Sequence, residues 1–336
     1  MLFLHSTVTA SSAPRRVAVA AVLGLALVLS AGAGTPALAQ DPPQAPAQDP
    51  AQDLDNSQVD IAYLPPTNPD FQPLYERLKA RAPLEELRQF LAPLRLPHKL
   101  LVQTGECGAT YVPYAYGPVT ICYEYLDQIE RLAPVDVSAD GVTRANAIAG
   151  AFVQVALHQV ADAVFNNLQI PIWGREEDAA DKLAGFIMMQ FGTDVALRTL
   201  TGTDYFFEAS DHTWTGVDFS DERSTEDQRF YNYLCVAYGG DPKTFGYVVQ
   251  KNILPSSRAS DCAHEYAELT YAFNTTLMPY VDPVLLAKVR ATSWLRPDDG
   301  QYPAPAPAVS SATPAPTSAQ SASSAPPEES ADDAQH

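Results

Sequence analysis

The stretch ALHQVADAVF, residues 156–165, holds a histidine and an aspartate four positions apart inside an otherwise apolar run. Helical periodicity would put His158 and Asp162 on one face, one turn apart, where an imidazole nitrogen and a carboxylate oxygen can share a divalent cation. Taken alone, such a pair more often has a structural role, because polar pairs on helices are common. Downstream, GREEDAAD carries Glu176, Glu177, Asp178 and Asp181. These acids suit a solvated helix N-terminus, where backbone N–H groups favour negative charge. They also suit a metal: Glu177 as a third ligand, and Asp181 one turn on as the carboxylate that orients a ligand histidine.

Such chemistry needs two helices joined by a short turn, and the pattern supplies them. Thr143 to Leu168 contains no proline and places Val153, Leu157, Val160, Val164 and Leu168 on one apolar stripe, with His158, Asp162 and Phe165 on the neighbouring face. QIPIWG then breaks the helix, and Arg175 to Phe191 resumes helical spacing through Ala180, Leu183, Ala184 and Ile187. A turn that short obliges the two helices to pack together. Before them, Asp70 to Leu91 reads as two short helices divided by Pro83. HKLLVQTGECG and PVTICYEYL read as adjacent strands separated by turn-rich sequence. From Asp221 to Tyr280 the pattern is helical again.

The 336-residue chain is 46% hydrophobic and 18% charged, enough for a sizeable core, but its ends differ from its middle. Arg15 and Arg16, the apolar run Val17 to Leu29 and Ala37-Leu38-Ala39 predict a secretory signal over residues 1–39. Export to the periplasm or outside the cell follows. The run is too short and wrongly flanked to span a membrane, and no second candidate is evident, so no span is expected after signal removal. Pro-, Ala- and Gln-rich sequence predicts a disordered linker over 40–58, and Pro-, Ala- and Ser-rich sequence a disordered tail over 297–336. One folded domain remains, residues 59–296. With 21 Lys and Arg against 40 Asp and Glu, a formal charge of -19 disfavours nucleic acid as a partner.

Four cysteines, Cys107, Cys122, Cys235 and Cys262, all fall in the folded part, and an even count in an exported chain favours disulfides. Of the three pairings formally open, Cys107–Cys122 joins the facing ends of the two strand-like runs, and Cys235–Cys262 joins consecutive helical segments. There is no CxxC, which argues against a zinc ribbon or a thioredoxin-like motif.

The segments DIAYLPPTNPDFQPLYERLKARAPLEELRQFL, LPHKLLVQTGECG, VTICYEYL, GREEDAADKLA, EDQRFYNYLCVAYGGDP and LPSSRASDCAHEYAEL together resemble a bacterial family of exported proteins classed as metallopeptidases, whose function is uncharacterised. Its members carry an HExxH helix followed by a GREEDAAD-like segment. The resemblance implies a mostly helical α+β, zincin-like domain with a small antiparallel sheet lining a cleft, zinc or another divalent metal as cofactor, and a peptide or protein ligand. His158 matches the first histidine ligand and Glu177 the third-ligand region, with Asp181 behind it.

This chain departs from the family at the motif itself, which here reads His158-Gln159-Val160-Ala161-Asp162. Gln159 stands at the position of the general base and Asp162 at that of the second histidine. Arg223 lies nearest to the place where the family often has a further histidine before QRF. Glutamine cannot take a proton from metal-bound water and pass it to a leaving amine, and losing a positioned base costs roughly 10² to 10⁴ in rate. A His/Asp/Glu set remains able to hold a metal, with preference shifted towards oxygen-loving ions. The leading expectation is a pseudoenzyme that binds metal or peptide in its cleft. The alternatives are an active hydrolase with an unusual ligand set and a structural envelope protein.

Overall fold

The computed structural model describes Leu54, residues 58–210 and residues 220–294. The expected signal over 1–39, the tail over 297–336 and all of the linker over 40–58 except Leu54 and Gln58 lie outside the described residues.

The chain enters through a strand that the sequence reading left unassigned, β1 (Val59–Tyr63), followed by helices α1 (Gln72–Arg81) and α2 (Pro83–Phe90). Pro83 divides these helices as expected: Ala82 caps α1 in the left-handed region at φ 55°, and Pro83 opens α2 at a position where its missing N–H costs nothing. Strands β2 (Leu100–Gly105) and β3 (Val119–Cys122) complete a sheet ordered β1-β2-β3.

Both strand pairs are parallel, Val59 opposite Leu100 and Gly105 opposite Cys122, which corrects the expected antiparallel sheet. Parallel neighbours need a return connection of about a dozen residues or more, and the chain provides one on each side. Helices α1 and α2 carry it back between β1 and β2, and residues 106–118 do so between β2 and β3. VTICYEYL is also shorter as a strand than the sequence suggested. At Tyr123 it becomes helix α3 (Tyr123–Leu132), which buries Tyr123, Tyr125, Leu126 and Ile129 at helical spacing.

Helix α4 (Arg144–Asn167) begins at Thr143, whose side chain accepts from the Asn146 N–H. It is long and apolar enough to cross a membrane by length and composition, a candidate span that the sequence analysis did not expect. Yet 89% of its most apolar window is buried inside the protein, as for a core helix. Helix α5 (Glu176–Met188) returns against it after the Gln169–Gly174 turn, in which Gln169 and Gly174 both have positive φ.

The sequence reading also left α6 (Thr193–Ala209) unassigned, although it packs closely along α4. Its backbone approaches so near that a Cβ on Gly202 would overlap the Asn146 carbonyl oxygen, and one on Gly150 would overlap that of Thr199. Thr203 donates to the Gly150 carbonyl across the same seam, at 3.0 Å. Helices α7 (Glu226–Gly240), α8 (Tyr247–Gln250), α9 (Ser256–Thr276) and α10 (Pro283–Ala291) complete the order.

Both expected disulfides are formed, Cys107–Cys122 and Cys235–Cys262. The parallel register explains the first: Gly105 lies beside Cys122, so a cysteine two residues past Gly105 reaches its partner at once. The second joins α7 to α9 inside a small apolar cluster with Leu234, Val248, Leu254 and Ala259.

Candidate metal centre

Helix α4 presents His158 and Asp162 on successive turns, and the first turns of α5 bring Glu177 and Asp181 against them. All four residues converge. His158 Nδ1 lies 2.8 Å from Asp181 Oδ1, while His158 Nε2 lies 3.2 Å from Glu177 Oε2 and 3.6 Å from Asp162 Oδ2. One atom each from His158, Asp162 and Glu177 falls within 4.8 Å of the others. Glu177 thus favours the α5 N-terminus and faces the imidazole at the same time.

Asp181 is the hub of the buried side. It accepts from Arg229 Nε at 2.7 Å and Nη2 at 3.0 Å, from Tyr233 Oη at 3.2 Å and from Gln154 Nε2 at 3.1 Å. Helix α7 supplies Arg229 and Tyr233. Its capping box between Thr225 and Gln228 fixes the first turn immediately before Arg229. Burial resists ionisation of Asp181, but Arg229 and His158 outweigh it and hold the carboxyl well below the usual carboxylate range.

Asp162 has the opposite surroundings. Both of its oxygens are buried without a hydrogen-bond partner, and burial pushes its pKa up to about 7, with His158 only partly offsetting that cost. Burial also opposes protonation of His158, yet Asp181 and Glu177 overcome it and raise the imidazole to about 9. Against the cost of burial, hydrogen bonds from His158 and Tyr111 hold Glu177 below its ordinary value.

Gln159 is buried, and its Nε2 reaches the Val112 carbonyl at a long 3.4 Å. Arg223 lies at the edge of the cluster: its Nε is 3.6 Å from Glu177 Oε2, and its guanidinium stacks 4.1 Å from the centre of the Tyr111 ring. Sequence reasoning missed Tyr111, whose Oη donates to Glu177 at 2.6 Å and sits 3.4 Å from His158 Nε2. It also missed Arg229, Gln154 and Tyr233. Arg229 had a faint signal, a cation inside the QRFYN segment of an otherwise core-forming helix, whereas Tyr111 lies in turn sequence that carries none.

The arrangement fits a divalent cation. Metal–ligand bonds of about 2.0–2.1 Å in a tetrahedral site place neighbouring donors roughly 3.3–3.4 Å apart, close to the 3.2 and 3.6 Å found around His158 Nε2. Asp162 in addition offers two buried oxygens that accept no hydrogen bond, one of them facing His158 Nε2 at 3.6 Å.

Residues 63–277 match the family described as putative metallopeptidase. The chain belongs to that family. No curated protein and no solved structure matches it.

Proposed function

We propose that this is an exported member of the metallopeptidase family whose centre binds a divalent metal through His158, Asp162 and Glu177, but which has lost efficient peptide hydrolysis. In this reading the cleft serves to bind peptide or protein. The observation that carries it is Asp162, a carboxylate without hydrogen-bond partners, buried beside a histidine and a second carboxylate. Such a group is costly unless a cation or a proton compensates it.

When bound, a metal would supply Lewis acidity towards a carbonyl oxygen. The protein's own residues would do the rest. Asp181 accepts the Nδ1 proton of His158 and so turns the Nε2 lone pair towards Asp162 and Glu177. Arg229 keeps Asp181 ionised for that task. Gln159 offers no group that can take up a proton in the working pH range, so water at the centre lacks the base that peptide hydrolysis needs. Export is supported by the signal-like leader and by the two disulfides, which suit an oxidising compartment.

Metal analysis of the purified mature protein, followed by thermal melts with zinc and with manganese and by turnover of a peptide library, tests the reading. We expect about one metal per chain, a raised melting temperature and no turnover. Peptide cleavage by the metal-loaded protein would overturn the loss of hydrolysis and establish an active hydrolase with a His/Asp/Glu set. No response to any metal would overturn the centre itself.

A further inference from the structure

Tyr111 is held in the long connection between β2 and β3, whose first residues the Cys107–Cys122 bond ties to the far end of β3. Glu124 braces the first end, accepting from the Gly108 N–H at 2.7 Å and the Cys107 N–H at 3.1 Å. From this anchored loop Tyr111 reaches into the cluster on α4 and α5. Its Oη lies 2.6 and 2.9 Å from the two Glu177 oxygens and 3.4 Å from His158 Nε2.

A single hydroxyl proton can serve only one of these atoms well, yet all three crowd the oxygen. The 3.4 Å to His158 Nε2 is the separation of neighbouring donors around one ion, for which bonds of about 2.0–2.1 Å give edges of roughly 3.3–3.4 Å; the 2.6 and 2.9 Å contacts to Glu177 are those of the neutral phenol, whose proton a bound ion would displace. Charge agrees. A divalent ion with Asp162, Glu177 and a tyrosine oxygen would leave one negative charge in a buried place, and Arg223, stacked 4.1 Å from the Tyr111 ring and 3.6 Å from Glu177, supplies the matching positive one.

We propose that the Tyr111 hydroxyl oxygen is the fourth donor of this metal centre, at the position that a three-ligand site leaves open to water. The proposal rests on His158, Asp162 and Glu177 being the other three. It makes the disulfide-bound loop part of the centre rather than a cover over it.

Copper(II), which heads the affinity order of the divalent first-row metals, tests the assignment by spectroscopy, because a tyrosine oxygen bonded to it gives a charge-transfer absorption that a nearby unbonded tyrosine does not. Titrating the full mature protein should develop that band to one equivalent. Tyr111→Phe keeps the ring on which Arg223 stacks and removes only the oxygen. It should still bind copper, with the band gone and affinity lowered by at least the roughly 10- to 100-fold seen on losing an orienting partner. Tyr114→Phe, in the same loop, should keep the band.

A copper-loaded parent without the band, or a band that survives in Tyr111→Phe, overturns the role of Tyr111 and leaves the His/Asp/Glu centre standing. Equal copper binding by the parent and His158→Ala overturns both. Should Tyr111→Phe fail to fold, resonance Raman spectra of the copper-loaded parent decide. Enhanced tyrosinate ring modes support the assignment, and their absence overturns it.

Discussion

Asp162 and Gln159 sit one turn apart on α4, and in the proposed reading each accounts for one half of the lost hydrolysis. Gln159→Glu with Asp162→His restores both halves. The double variant should bind zinc more tightly than the parent, because a neutral imidazole suits tetrahedral zinc better than a hard carboxylate. It should also gain measurable peptide cleavage, since a positioned base is worth about 10² to 10⁴ in rate. Asp162→His alone should gain affinity without turnover, and Gln159→Glu alone should gain least. Zinc calorimetry of the four proteins checks the order, and equal affinities throughout would show that these residues hold no metal.

Protons compete with the metal at the same atoms. His158 is raised to about 9 and Asp162 to about 7, so both must lose a proton before they can ligate. Zinc affinity should therefore climb from below pH 7 to about 9 and level off beyond. In the metal-free protein both folded-state values lie above the unfolded ones, so both groups stabilise the fold at low pH. Asp162 withdraws its share as the pH rises from about 4 to 7, and His158 as it rises from about 6.5 to 9. The metal-free melting temperature should fall across that range, least in a His158→Ala, Asp162→Asn variant. A zinc affinity independent of pH would contradict the assignment.

At the scale of elements, the centre is an agreement between three helices. Asp181 on α5 is bound at once by His158 on α4 and by Arg229 on α7, with both ends of the Arg229–Asp181 pair about 95% buried. Removing one partner leaves the other charged and dry. Asp181→Asn should destabilise the fold by about 3–5 kcal/mol, read from denaturant unfolding, and should loosen the orientation of His158 as well. A loss within a few tenths of a kcal/mol would show that the pair is not a structural tie.

Local sequence revealed the α4–α5 part of this agreement, because an i, i+4 pair and a short turn are statements about neighbours. It could not reveal Arg229 or Tyr111, whose positions follow from how distant segments pack. The sense of the sheet was hidden for a related reason. VTIC and LLVQTG look alike in either direction, and only the length of residues 106–118 spoke for a parallel return. Helix α6 escaped notice although its Gly202 and Thr203 turn out to meet α4 directly, since a glycine and threonines within a helix read locally as weak helix formers.

For the molecule as a whole, the two disulfides tie separate parts of the fold, one beside the sheet and one between α7 and α9. Loops of this size contribute about 3 to 4 kcal/mol each in the chain-entropy account. Full reduction should lower the midpoint of denaturation accordingly, and a midpoint unmoved by reductant would show that the bonds contribute nothing. If the leader is a signal as proposed, N-terminal sequencing of exported protein should begin after Ala39.

The Cys107–Cys122 bond also has a meaning in time. While it is closed, it holds the start of the loop bearing Tyr111 to the end of β3 and narrows the range that the loop can search. Once it opens, β2 and β3 still hold residues 106–118 at both ends, but the phenol must return to Glu177 from a wider range, and a loop of about ten residues makes such a contact within roughly 10–100 ns. Zinc held by three side chains stays for far longer than that. A reducing environment would therefore change how large a fraction of each bound ion's stay Tyr111 spends at the centre, and the ion would leave sooner while arriving just as fast. The redox state of one cystine would in this way set a residence time, visible in stopped-flow chelation as a faster release step after reduction.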